Sequence, residues 1–129
     1  MDCVRVFKAK WFVRFARKQK ISDDVLCKAI NDAEDGKIDA DLGSGVIKQR
    51  IARLHEGKSG GHRVIIYYRK GNRAFFVFGF SKKNRENLSV YEVEVHKKSA
   101  GIVLGLSEER LKELIELGTY TEVICYAKE

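Results

Sequence analysis

The residues most able to do chemistry are lysines and arginines concentrated in the middle third of the chain. Residues 44–85 contain eleven of them and a single acid, Glu56, which gives this segment a net charge of +10 in a protein whose total is +7. The eleven are Lys48, Arg50, Arg53, Lys58, Arg63, Arg69, Lys70, Arg73, Lys82, Lys83 and Arg85. Such a concentration is typical of a surface that binds a polyanion. We therefore predict a nucleic-acid site, in preference to a basic face that serves only solubility.

The stretch GKSGGHRV at residues 57–64 is similar to the end of a nucleotide-binding P-loop. The motif G-x-x-x-x-G-K-[ST] needs its first glycine where this chain has Ala52, and it needs a helix after the loop. The segment that follows alternates like a strand, which excludes an ATP site. What remains is a glycine-rich connection, in which Gly60 and Gly61 let the backbone turn or let a phosphate chain approach closely. Lys58 is predicted to contact that phosphate chain.

Histidine offers a second catalytic alternative, because imidazole suits RNA hydrolysis near neutral pH. His55 and His62 bracket the glycine-rich loop, and His96 lies well away in the sequence. A ribonuclease that uses two histidines needs both imidazole rings to converge on one phosphate of the RNA. His62 alternates with Arg63, so we expect the two side chains on opposite faces of a strand.

Metal and disulfide chemistry are not predicted, and no cofactor is expected. Asp39 and Asp41 resemble a fragment of a calcium loop, but we interpret them as turn acids that follow a helix. Cys3, Cys27 and Cys125 are an odd, scattered set with no CxxC pair. This pattern predicts reduced thiols in the cytoplasm, with neither a structural zinc nor a disulfide framework.

Length and composition predict one globular domain covering residues 1–129. Apolar residues make up 44% of the chain and charged residues 33%, which excludes a disordered protein. Apolar runs such as residues 74–80 are too short to span a membrane, and residues 1–10 lack the apolar core of a signal peptide.

Two amphipathic helices are predicted near the N-terminus. The first begins at residue 9 or 10, and its apolar face consists of Trp11, Phe12, Phe15 and Ala16. The second follows Ser22, a favourable N-cap, and ends at Gly36. We expect the two helices to form a hairpin with a buried seam.

From residue 46 the periodicity changes to two, which predicts a three-stranded antiparallel meander. The segments VIKQRIAR, RVIIYYR and RAFFVFGF are its strands, and a tight turn at residues 70–72 joins the last two. In the first strand Lys48 and Arg50 share a face. In the last strand Phe76, Phe78 and Phe80 are expected to share the face that packs against the helices.

The C-terminal third is predicted to contain one or two helices and a last short strand. Residues 89–98 fit a strand or a helix, and we favour the helix; residues 107–118 are a capped helix and residues 121–127 a strand. A short first strand at residues 3–7 completes the pattern. The predicted fold class is α+β, with an N-terminal helical hairpin packed on a twisted antiparallel β-sheet.

Four stretches carry a family resemblance: F-x-x-K-W-F-x-R-F-A-R-K, D-A-D-L-G-x-G-V-I-K-Q-R, G-K-S-G-G-H-R and F-x-x-G-F-x-K-K. In combination, with the closing T-E-V-I, they resemble RelE/HigB-type toxins of bacterial toxin–antitoxin modules, in the RelE/ParE superfamily. The resemblance implies helices packed on a twisted antiparallel sheet. It also implies cleavage of mRNA in the ribosomal A site without a metal, and an antitoxin that holds the toxin inactive.

The resemblance further implies the catalytic residues. Lys48 and Arg50 correspond to basic residues that face RNA, Arg63 to an arginine that opens the next strand, and Lys83, or Lys82 in a competing register, to a basic residue beyond the meander. In the implied chemistry the 2′-OH of the RNA attacks the adjacent phosphorus. Lys48 or Arg50 would lie near the 2′-OH, Arg63 on the phosphate and Lys83 near the leaving oxygen. Further RNA contacts are predicted for Arg53, Lys58, Arg69, Arg73, Lys82 and Arg85.

Two other functions stay open at this point. A ParE-like toxin would inhibit DNA gyrase without a nuclease site, and a non-enzymatic module would only bind RNA. The density of basic residues favours the nuclease, whose partners would be mRNA, the ribosome and a cognate antitoxin with an acidic or amphipathic segment. Participation of Tyr91, which matches a tyrosine of some family members, also stays open, as does that of His55 and His62.

Overall fold

Residues 4–52 and 61–126 are described by a computed structural model, and they contain six strands and four helices. The strands are β1 (Arg5–Ala9), β2 (Ala40–Gly43), β3 (Val46–Ile51), β4 (His62–Arg69), β5 (Arg73–Ser81) and β6 (Tyr120–Val123). The helices are α1 (Lys10–Gln19), α2 (Asp23–Glu34), α3 (Val90–Leu104) and α4 (Glu108–Glu116). Every predicted element is present, and β2 is an addition.

The strands form one sheet in the order β2-β3-β4-β5-β1-β6. Strands β3, β4 and β5 make the predicted antiparallel meander. Strand β1, however, pairs parallel with β5, and β6 pairs antiparallel with the far edge of β1. The sheet is therefore mostly antiparallel, with one parallel pair that corrects the prediction.

Strand β2 corrects the interpretation of the acids that follow α2. It pairs antiparallel with β3, so Asp41 is a strand residue and Asp39 directly precedes the strand. The turn to β3 contains Gly43 and Gly45 at φ angles of 94° and 85°, which glycine adopts without strain. The acids thus belong to an edge hairpin.

Helices α1 and α2 lie close to where the periodicity predicts them. The Ser22 hydroxyl accepts a hydrogen bond from the Val25 N–H at 3.3 Å, as a predicted N-cap should, and Gly36 follows the end of α2. Helix α1 packs against β5 and helix α2 against β3, with few contacts between the helices. The predicted hairpin with a buried seam is not confirmed: both helices contribute apolar residues to one core and pack mainly on the sheet.

Helices cover both faces of the sheet, so the protein has two cores. The core under α1 and α2 includes Phe12, Leu26, Ile30, Val64, Ile66 and Phe76. The core under α3 and α4 includes Phe7, Val46, Ile65, Phe75, Leu104 and Leu111. Strand β4 contributes to both, which explains its nearly continuous apolar sequence.

A bulge in β5 changes which face of the sheet each of its phenylalanines lies on. Ile65 pairs with Phe78 and the next residue of β4 pairs with Phe76, which leaves Val77 as the extra residue. Phe76 therefore lies in the core under α1 and α2, whereas Phe78 and Phe80 pack with the other core. The prediction that these three rings share a face is wrong, because a bulge interrupts the alternation of side chains between the two faces of a strand.

The C-terminal elements are confirmed, including the helical choice for α3. Ser89 and Glu92 form a reciprocal cap: the Ser89 hydroxyl accepts from the Glu92 N–H at 3.1 Å, and the Glu92 carboxylate accepts from the Ser89 N–H at 2.9 Å. Ser107 caps α4 in a similar way by accepting from the Arg110 N–H at 3.0 Å. No helix in the described part of the chain is long and apolar enough to cross a membrane.

Cys27 and Cys125 form a disulfide, so the prediction of reduced thiols is wrong for this pair. The bond joins α2 to the segment that follows β6, across a sequence separation of 98 residues. Spacing along the chain cannot reveal such a pair, because the two sulfurs meet only once β6 has joined the sheet. Cys3 lies outside the described residues.

Candidate functional site

The register of β3 and β4 brings three predicted catalytic cations together. Arg50 is the direct cross-strand partner of Arg63, and Lys48 lies two residues before Arg50, so all three side chains project from the same face. We call these three residues the basic cluster. Like charges opposite one another on neighbouring strands repel, and an anion lying against them would stabilise the arrangement. The geometry suits a phosphate.

Each member of the basic cluster is positioned by a different part of the protein. Arg63 is only 6% exposed within β4. The Lys48 ammonium donates a hydrogen bond to Asn87 Oδ1 at 3.1 Å, from the loop before α3. The backbone N–H of Arg50 donates to Asp39 Oδ2 at 2.5 Å, while the Arg50 side chain is exposed. The side chain of Lys48 is thus held by a hydrogen bond and that of Arg63 by burial, whereas only the backbone of Arg50 is held.

The surroundings of Lys48 make it easier to deprotonate. Burial, and then the positive charges of Arg63 and Arg50, lower the pKa of Lys48 below the usual lysine value, with Asp39 acting in the opposite direction. Arginine stays protonated in proteins, so Lys48 is the member of the basic cluster that can accept a proton. Lys48, rather than Arg50, is therefore the candidate for a proton acceptor, and a position near the 2′-OH of RNA stays a prediction for both residues.

Arg85 extends the positive surface from the strands to the loop after β5. Its guanidinium carbon lies 5.3 Å from the ring centroid of Phe80 and 5.7 Å from that of Phe78. Phe80 is in turn the cross-strand partner of Arg63. Glu92 pairs with Arg85 at 2.6 Å and neutralises part of its charge. The predicted RNA contact of Arg85 therefore has a location beside the basic cluster.

Lys82 and Lys83 are both exposed in the turn after β5. The backbone N–H of Lys83 donates to the Ser81 hydroxyl at 3.2 Å. Lys83, and not Lys82, lines a depression together with Phe80 and Arg85. Lys83 is thus the one of the two lysines that lies beside Arg85, and its position near the leaving oxygen stays a prediction.

Arg69 and Arg73 are not brought to the basic cluster. Arg69 lies at the far end of β4, about 20 Å from Arg63 along the strand, and Arg73 is its partner across the hairpin. The Arg69 guanidinium donates to the carbonyl of Leu104 at 3.0 Å, and that of Arg73 donates to the carbonyl of Leu106 at 2.5 Å. Leu104 is the last residue of α3 and Leu106 lies two residues beyond it, so both cations lie near the C-terminus of the helix, where its dipole favours positive charge. These contacts give both arginines a structural role, and their predicted contacts with RNA stay predictions.

Three predicted site residues, Arg53, Lys58 and His55, lie outside the described residues, and their roles stay predictions. Gly61, at the end of the same loop, approaches the protein's own backbone. A Cβ at Gly61 would lie 1.9 Å from the carbonyl oxygen of Ile51. This glycine therefore lets β3 and β4 meet, and the predicted close approach of a phosphate is not needed to explain it.

We expect Gly61→Ala to lower the free energy of unfolding by about 1–3 kcal/mol, because the new Cβ would force the backbones of β3 and β4 apart. Gly101→Ala is the matched control, since a Cβ there meets nothing within 4 Å and alanine favours a helix. Urea denaturation of both variants measures the difference. Equal stabilities of the two variants would contradict the close approach.

The two described histidines lie on opposite faces of the sheet. His62 Nε2 lies 3.1 Å from Gln19 Oε1 of α1, so its ring is on the face opposite Arg63, as alternation predicts. His96 Nδ1 lies 2.7 Å from the Tyr67 hydroxyl beneath α3, where burial lowers the pKa of His96. A two-histidine site built from His62 and His96 is therefore absent.

Sequence reasoning missed two residues from other segments that contact Lys48 of the basic cluster and the neighbouring Arg85. Asn87 reaches Lys48 across a sequence separation of 39 residues, and no spacing rule marks it. Glu92 could have been found as the third residue of the Ser89 capping box, but its second contact, with Arg85, depends on the tertiary fold. Within residues 4–52 and 61–126, no three His, Cys, Asp or Glu side chains form a group that could hold a metal ion.

Helices on both faces of a mostly antiparallel sheet, with the basic cluster on one face, define an α+β protein whose site suits a phosphate ligand. Comparison of sequences identifies the family. The model of the family described as the RelE toxin of the RelE / RelB toxin-antitoxin system matches residues 4–123. The chain therefore belongs to the RelE toxin family, and an antitoxin partner is implied. A search of curated proteins found no match.

Proposed function

We propose that this toxin is a metal-independent endoribonuclease that cleaves mRNA on the ribosome and so inhibits translation. The observation that carries the proposal is the basic cluster: Lys48, with its lowered pKa, shares a sheet face with the cross-strand pair Arg50 and Arg63. Membership of the RelE family supports the role as a toxin. The chemistry is the one that cations can supply, namely stabilisation of charge on a phosphate.

In the proposed reaction Lys48, in its neutral form, takes the proton of a ribose 2′-OH. The 2′-oxygen forms a bond to the adjacent phosphorus while the bond from phosphorus to the 5′-oxygen breaks. Arg63 and Arg50 stabilise the negative charge that builds on the non-bridging oxygens. Lys83 delivers a proton to the 5′-oxygen. The products are a 2′,3′-cyclic phosphate and a 5′-OH, and no group is oxidised or reduced.

A general base with a lowered pKa predicts a characteristic pH profile. The neutral fraction of Lys48 rises with pH and saturates above its pKa, so the single-turnover rate of cleavage should rise with pH and then level off below the pH at which an ordinary lysine titrates. Lys48→Met should be about 100- to 10,000-fold slower, the usual contribution of a general base, and should lose the rising limb.

The matched control is Lys70→Met, which removes the same charge from the exposed turn between β4 and β5. It should retain both the rate and the pH profile. A Lys48→Met variant with an unchanged profile would show that another group is the base.

The deciding experiment is to induce the toxin in cells and map new mRNA ends against the reading frame. Cuts at a constant position within codons support the proposal, because they require the ribosome. DNA damage with intact mRNA would instead indicate a ParE-like inhibitor of gyrase. Binding of RNA with no cuts would indicate a non-enzymatic module. Purified protein that is inactive on naked RNA, and active when ribosomes are added, establishes the ribosome as a partner.

The antitoxin is proposed to inhibit by covering the basic cluster. An acidic or amphipathic segment of the antitoxin would complement the positive charge of this face and exclude the phosphate of the substrate. Salt should then weaken the toxin–antitoxin complex, since exposed charge pairs are screened.

A further inference from the structure

A depression of about 470 Å³ lies between α1 and the loop after β5. Its lining includes the rings of Trp11, Phe15 and Phe80 and the polar residues Lys83, Asn84 and Arg85. One of its lining residues, Phe80, is the cross-strand partner of Arg63, so their backbones are about one strand spacing, roughly 5 Å, apart. The reaction proposed above leaves its aromatic residues without a role.

The aromatic wall of the depression is rigid and partly open. Trp11 stacks with Phe78 at a centroid distance of 4.7 Å and with Phe15 at 5.3 Å, yet 41% of the residue is exposed. Phe15 is seated against Gly79, where a Cβ would lie 2.4 Å from the Phe15 ring. An indole held on its neighbours and open to solvent can contact a flat ligand at little cost in conformational entropy.

The charge beside the depression is positive. Helix α1 has no acidic residue, and Arg14 and Lys18 follow Trp11 by three and seven residues, which places all three on one side of the helix. Both cations are exposed, and neither forms an ion pair with a residue in the described ranges. A polyanion that carries flat rings matches this combination of charge and aromatic surface better than an acidic peptide does.

We propose that the depression binds a base of single-stranded RNA whose neighbouring phosphate lies on the basic cluster. The base packs against the exposed part of Trp11, and the backbone follows the cations of α1. Aromatic platforms beside positive grooves bind single strands in this way with little sequence preference. The inference rests on the proposed function for the position of the phosphate, and it adds the residues that hold the substrate beside it.

Trp11 is the only tryptophan in the chain, so its fluorescence reports directly on the depression. The whole protein is titrated with a short RNA whose 2′-hydroxyls are methylated, which blocks cleavage, and with the same sugar–phosphate chain without bases. We expect saturable quenching by the first oligonucleotide and not by the second, although both carry the same phosphates. Quenching by both alike, or by neither, would overturn the base site.

A pair of variants tests the energetics of the site. Trp11→Ala should weaken binding of the methylated RNA about 5- to 150-fold, the effect of losing one stacked base. Tyr126→Ala, which removes an aromatic residue that is 87% exposed and follows β6, should bind as the wild type does. Equal affinity of Trp11→Ala and the wild type would also overturn the inference. If Trp11→Ala does not fold, the fluorescence titration of the wild type still tests whether a base binds in the depression.

The two proposals fail in different ways. In-frame mRNA cleavage with no base-dependent quenching contradicts the base site and leaves the nuclease intact. Base-dependent quenching in a protein that never cuts mRNA supports the base site and contradicts the nuclease.

Discussion

Arg63→Ala is expected to slow the cleavage of ribosome-bound mRNA about 100- to 1,000-fold, the effect of removing one preorganised donor from a developing oxyanion. Arg63 is 6% exposed, and its cross-strand partners are Arg50 on one side and Phe80 on the other, so its side chain is confined by packing. Loss of this donor should reduce the stabilisation of the transition state more than it reduces the binding of the substrate. We therefore expect the loss in kcat rather than in KM, measured by primer extension after rapid mixing.

Two variants control for charge and for folding. Arg63→Lys keeps the charge but lacks the planar fork of donors, and it should recover only part of the rate. Arg110→Ala removes an arginine from the exposed surface of α4, where it pairs with Glu113, and should cleave normally. If Arg63→Ala retained the wild-type rate with an unchanged melting temperature, the basic cluster would not be the catalytic site.

Reduction of the disulfide between Cys27 and Cys125 is expected to lower the free energy of unfolding by about 2–5 kcal/mol. The bond closes a loop of about 100 residues, for which the chain-entropy model gives about 4.7 kcal/mol. Cross-linking restricts the unfolded chain, so the effect should appear mainly as a lower denaturation midpoint. Guanidinium denaturation with and without a reducing agent measures it.

Cys27→Ser provides the internal control for this measurement. The variant should be as unstable as the reduced wild type, and the reducing agent should have no further effect on it. A wild-type protein whose midpoint is insensitive to the reducing agent would contradict a stabilising bond. Thiol trapping in freshly lysed cells would then show whether the bond forms where the toxin acts.

The types of the helices and strands could be predicted because each rests on local signals. The periodicity of α1, the Ser22 cap of α2 and the alternation of β3 are properties of neighbouring residues, and the structure contains all of them. The choice of helix for α3 was also correct. Its nearly even distribution of apolar residues made it ambiguous, and the Ser89 cap resolves it in favour of a helix.

The arrangement of those elements needed the tertiary structure. The parallel pairing of β1 with β5 joins segments some 70 residues apart, and the bulge at Val77 depends on how β4 and β5 align. Helix α1 packs mainly on β5 and helix α2 on β3, rather than on each other. None of these outcomes is encoded in the period of a single segment.

For the candidate site, too, some features could be predicted from the sequence and others required the tertiary structure. The shared face of Lys48 and Arg50, and the opposite direction of His62 and Arg63, follow from alternation and could be predicted. The meeting of Arg50 with Arg63 required the register of two strands. The count of basic residues could not separate Arg63, at the basic cluster, from Arg69 at the other end of the same strand.

By itself, the sequence determined the class of fold, the sign of the charge on the central strands and the family, because these depend on composition, short periods and motifs. Only the tertiary structure decided which cations converge, that α3 and α4 build a second core, and that Cys27 reaches Cys125. The physical reason is that each of these depends on contacts between distant segments. Pairing registers and packing choose those contacts from the total free energy of the folded chain, and no local pattern records them.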